Sequence, residues 1–111
     1  MNKFIYKYKP EPLNDPQIAP FCGYISIPMN SIILSGAVVN EDVCIYALVD
    51  PTETAMVKIL IAIIPTGAEL AEEYYSKLFS EAAHFVGTLV DESRIRSDSA
   101  LVWHVWWAAI K

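Results

Sequence analysis

His84 and His104 are the residues of this 111-residue chain best suited to proton or metal chemistry, and each stands in an apolar run toward the C-terminal end. If those runs pair as antiparallel strands, the two imidazoles approach each other. A metal would still need a third ligand. No HExxH, His-x-His or CxxC spacing provides one, so neither a metal nor a cofactor is expected. Covalent catalysis would need an activated Ser, Thr or Cys beside a base. Cys44 stands mid-run between Val43 and Ile45, where a buried thiol is inert, and no nucleophile elbow occurs, so no catalytic residue is expected. His104, flanked by Trp103 and Val105, reads as a core histidine whose ring nitrogens meet backbone, Tyr or Thr partners.

Binding chemistry remains. Lys58, Arg94 and Arg96 are cations able to hold phosphates, with Tyr and Trp rings, Trp106 among them, to stack on a base. Thr66-Gly67, read as a helix start, could present amides to an anion, but Glu69 in the first turn already fills that electrostatic role. Glu69, Glu72 and Glu73 then form an acidic face open to a basic partner.

These side chains need elements to carry them. The run LVWHVWW at 101–107 holds all three tryptophans and reads as a buried strand, apolar on both faces. Each indole can bury roughly 200 Å², so at about 25 cal/mol per Å² the three contribute on the order of 10 kcal/mol. Before it, 4–8 reads as a strand ending at Pro10, the proline-rich 10–20 as an extended connector, and 24–27 as a short strand. Runs 31–39 and 43–49 form a hairpin through Asn40-Glu41-Asp42, and 56–64 is a central strand with Lys58 near one end. Thr66 with Glu69 three residues on is a capping box, and Leu70, Tyr74, Leu78 and Ala82 make the apolar stripe of a helix at about 68–82. A strand at 84–90, a charged loop at 91–99 and a closing strand at 100–110 follow. The expected fold class is α+β in a single domain, 1–111: mostly antiparallel β, a small barrel or sandwich-like sheet, with that one helix covering it.

Hydrophobic residues make up 54% of the chain and charged residues 19%, which excludes disorder and, on strands with few protected edges, predicts a homo-oligomer, most simply a two-fold dimer. A net charge of −5 argues against nucleic acid as a partner. The longest apolar run, 59–64, is far short of the roughly 20 residues of a membrane helix, so no membrane association is expected. Met1-Asn2-Lys3 does not open a secretory leader, which makes a cytoplasmic location the expectation and reads Cys22 and Cys44 as buried thiols.

Ile5-Tyr6-Lys7-Tyr8, Pro28, Leu34, Cys44, Ala47-Leu48-Val49-Asp50-Pro51, Thr66-Gly67, Gly87-Thr88 and LVWHV at 101–105 follow one another in an order that resembles a family of small uncharacterised proteins of phages and prophages. The resemblance spans nearly the whole chain. It implies a phage origin, hence the host cell cytoplasm, and a β-rich fold, but no catalytic residue. The segment 68–82 and the terminal Trp-Ala-Ala-Ile-Lys depart from the pattern. Three functions stay open: an accessory protein that binds a host protein, such as a host-defence antagonist; a sponge for a nucleotide-like small ligand at an oligomer interface; and a virion or assembly component.

Overall fold

The structure, a computed structural model, describes residues 2–12, 22–70, 72, 76, 83–96 and 99–109. The β-branched and aromatic runs become eight strands: β1 (Phe4–Tyr8), β2 (Glu11–Pro12), β3 (Cys22–Pro28), β4 (Ile32–Val39), β5 (Asp42–Val49), β6 (Met56–Pro65), β7 (His84–Arg96) and β8 (Ser99–Ala109). All their pairings are antiparallel. They make a small sheet in the order β1-β5-β4 and a larger one in the order β2-β3-β6-β8-β7. Alternation at period two gives each strand an inner face. Ile25, Ile27, Ile59, Ile61 and Val105 of the larger sheet meet Ile45 of the smaller in the buried core between them.

Local chemistry at the turns sets which sheet each strand joins. Asn40 and Glu41 both take positive φ, 50° and 70°, as the two central residues of a primed hairpin turn do, and Val39 already pairs with Asp42. The link is therefore one residue shorter than Asn40-Glu41-Asp42. Asn30, at φ 67°, turns the chain from β3 in the larger sheet to β4 in the smaller. On one flank the two sheets close together: a Cβ on Gly36 of β4 would lie 3.3 Å from Leu89 Cδ1 of β7. On the other flank the chain itself crosses, leaving β5 after Tyr8 and joining β3 at Glu11.

The expected α+β class with a covering helix at 68–82 is corrected. The described residues are antiparallel β, and no helix stands on either sheet among them. Gly67 at φ +87° closes a turn in which the Ala68 amide donates to the Pro65 carbonyl at 3.2 Å, and the Thr66 hydroxyl is engaged by His104 in place of a helix amide. The capping box is therefore not made. Residues 68–70 continue without helical structure, with Ala68 and Leu70 packing on the outer face of the larger sheet against Cys22, Ala62 and Ile64. Of 71–82 only Glu72 and Ser76, in locally helical backbone, are described; Glu73, Tyr74, Leu78 and Ala82 lie outside the described residues.

Three smaller corrections follow. The expected loop at 91–99 is instead strand over 91–96, since β7 and β8 run on past an irregularity after Asp91 to the pair Arg96↔Ser99. The expected strand 24–27 is longer, and β3 pairs with β6 over its whole length. The tryptophans of β8 are half-buried, while Val105 between them is 0% exposed, so isoleucine and valine rather than indole fill the centre. Among the described residues no helix is long and apolar enough to cross a membrane.

Candidate functional site

The crossing of the N-terminal segment splits one flank of the molecule. β1 is an edge of the small sheet, and β2, only two residues long, covers β3 only at Gly23 and Tyr24. Among the described residues, the edge of β3 from Ile25 to Pro28 has no strand beside it on that side, nor has β1 on the side away from β5. The seam between these two edges holds a cavity of about 290 Å³ lined by Tyr8, Lys9, Glu11, Tyr24, Ser26 and Lys58. Tyr24 donates its hydroxyl to Glu11 Oε2 at 2.8 Å, and the Lys58 ammonium lies 4.9 Å from the centre of the Tyr24 ring. Its hydrogen bond to Glu11, and then the charge of that carboxylate, raise the Tyr24 phenol above its ordinary pKa; burial, and then Tyr6, raise that of Tyr8. Both rings enter the seam as neutral hydrogen-bonding groups. Tyr6 and Phe4 lie on the same side of β1 as Tyr8 and are 43% and 47% exposed, a large apolar area above the opening.

Beyond the crossing lies a second cleft, about 480 Å³, where Trp103 and Ile63 face Pro10, Pro12 and Gly23. Gly23 is required there, because a Cβ would stand 2.7 Å from the Glu11 carbonyl oxygen.

His104 occupies the opposite, outer face of the larger sheet. Its Nε2 lies 2.7 Å from Thr66 Oγ1 and its Nδ1 3.1 Å from Thr88 Oγ1. In the neutral ring one nitrogen carries the proton and the other accepts, so one threonine hydroxyl donates to the ring and the ring N–H donates to the other. The expected threonine partners are present, on the surface of the sheet and not in the core. Thr66, Thr88 and His104, far apart in the chain, meet at this one ring. A hydroxyl on a histidine is the beginning of a nucleophile and base pair, but Thr88 carries no charge to stabilise an imidazolium, so the cluster reads as a tie between β6, β7 and β8.

His84 does not join it. A bulge between Phe85 and Gly87 shifts the β7 register by one residue, so His84 pairs with Trp107 on the inner face and stacks on its indole at 4.4 Å between ring centres. Without the bulge both imidazoles would share the outer face. Trp106 shares His104's face, with Phe85 at 5.1 Å and the His104 ring at 6.4 Å between centres. Lys58 is far from this cluster, in the seam. Glu69 and Glu72 are exposed, and Arg94 and Arg96 stand in the last residues of β7.

Sequence reasoning missed Tyr8, Glu11, Tyr24 and Trp103 as site residues. The signal lay in Pro10-Glu11-Pro12, whose prolines allow only an edge strand and so mark where a ladder is interrupted.

No curated protein and no solved structure matches the chain. The family described as a domain of unknown function, DUF7352, matches residues 1–109. Over nearly its whole length, then, the chain belongs to the DUF7352 family.

Proposed function

We propose that this is a phage-encoded accessory protein that acts by binding, without catalysis, and that its partner is a protein of the host cell. The observation that carries the reading is the split flank, where two strand edges and the exposed rings of Phe4 and Tyr6 surround an opening. Exposed aromatics beside a groove are what a protein interface uses as anchors. The phage origin rests on the motif resemblance.

A photo-cross-linking residue in place of Tyr6 tests it in host lysate, with the same probe at exposed Val90 on β7 as control. A host-protein adduct is expected from position 6 and not from position 90. Equal adducts from both, or none from either, would remove the reading.

A second reading, a sponge for a nucleotide-like ligand, is favoured by the pairing of Lys58 with Tyr24 in the same seam. Calorimetry with nucleotides tests it, and an absence of heat would set it aside.

A further inference from the structure

We infer that the seam between β1 and β3 receives an extended, acidic segment of the partner polypeptide as an added strand; this rests on the protein-binding reading above and names the chemistry of its partner. The backbone makes the first part of the case. In an antiparallel edge strand, every second residue turns its N–H and C=O away from the existing partner. β1 and β3 from Ile25 onward both have such a side open at the seam among the described residues. The chain passes from one sheet to the other at Lys9 and Pro10, so the two edges splay apart instead of pairing. A strand laid along either edge continues a ladder that stops short there.

Side chains set what that strand must be. On its inward face it would meet Phe4, Tyr6, Tyr8 and Ile25, which ask for apolar residues at alternate positions. Lys7 stands on the other side of β1, and Lys58 flanks the seam from β6. Residues 1–9 carry Lys3, Lys7 and Lys9 and no acid, although the whole chain has a net charge of −5. The seam itself is lined by one carboxylate, Glu11, which accepts the Tyr24 hydroxyl, against Lys9 and Lys58, so with Lys7 beside it the rim is basic on an acidic protein. Lys9 is already drawn to Asp42 at 3.2 Å, which leaves Lys7 and Lys58 to meet carboxylates on the incoming strand.

A second copy of this chain fits less well, because β1 laid antiparallel on its counterpart would bring two sets of lysines together, and like charges across a ladder repel.

Selection of displayed ten-residue peptides on the intact protein is the test, with Lys7→Glu and Lys58→Glu as variants, both exposed and checked for unchanged near-UV dichroism. Enriched peptides should alternate apolar and acidic residues and lack proline. They should bind the variants about tenfold more weakly, as when a rim charge is reversed, and should slow amide exchange at 4–8 and 25–27. Peptides without acids, binding indifferent to both variants, or exchange unchanged along those edges would overturn the proposal. If no peptide is enriched while the position-6 adduct to a host protein persists, strand addition is wrong and the binding reading stands. If the adduct also vanishes, both fall. An adduct to a second copy would identify self-association in place of a partner strand.

Discussion

Asp50 shows how a single exposed carboxylate is tuned. It accepts a hydrogen bond from Thr52 Oγ1 at 2.6 Å and another from the Thr52 amide at 3.0 Å, closing the turn after β5. These bonds, the hydroxyl's foremost, hold its pKa below 3.8. Because the folded value is depressed, the associated stability is present above the unfolded pKa and is lost as pH falls through the folded one. Thr52→Val should raise the Asp50 midpoint toward 3.8 in an NMR titration, and an unmoved midpoint would deny the hydroxyl its role. Glu41 is a residue in the wrong conformation for its type: at φ 70° its Cβ meets the steric penalty that glycine escapes. Glu41→Gly should stabilise the protein by about 1 kcal/mol, seen as a higher denaturant midpoint at unchanged slope. The sequence 40–42 is readable as a hairpin link because its polarity is local. That Glu41 rather than Asp42 occupies the left-handed position depends on the register of two strands, which composition does not carry.

Strands that pair along much of their length are legible in the sequence, since alternation shows itself within a few residues: β1, β4, β5, β6 and β8 fall close to where period two places them. What alternation cannot reveal is which face is inner, or where a bulge reverses it. His84 and His104 part company for that reason, and Leu34, the extra residue at the bulge in β4, ends 46% exposed. The tryptophans mislead in a related way. Ring size suggested a core of indoles, whereas β8 buries only Val105 completely and leaves Trp103 half-buried beside a cleft. Ile61→Ala, at a site 0% exposed, should therefore cost about 2 to 5 kcal/mol. Trp103→Ala should cost less than the roughly 3 to 5 kcal/mol of a buried indole, because part of its surface is already in water. Urea unfolding of the two variants decides the order, and a larger loss for Trp103 would return the indoles to the centre. The helix expected at 68–82 rested on a capping box and an apolar stripe, but the Thr66 amide donates to the Val102 carbonyl and the Thr66 hydroxyl is held by His104, so both ends of the box are taken up by β8.

For the whole molecule, the outer face of the small sheet matters most. Ile5, Leu48 and Ile32 form one cross-strand row there, and Ile5 and Ile32 are 62% and 52% exposed. A two-fold dimer that packs row on row would cover them. Light scattering should give twice the 12.4 kDa of one chain, reverting to one when Ile5 and Ile32 are both changed to Lys; a monomer at high concentration for the unaltered protein would dismiss the dimer. The N-terminal crossing also governs the order of assembly. β1 leaves the ribosome before β3, β4 and β5, so it cannot be placed until the hairpin of β4 and β5 exists. Local hairpins form quickly and distant pairings wait for loop closure. β1 is therefore made before its partner yet docks after it, and during translation its aromatic rings stay exposed to any chaperone within reach.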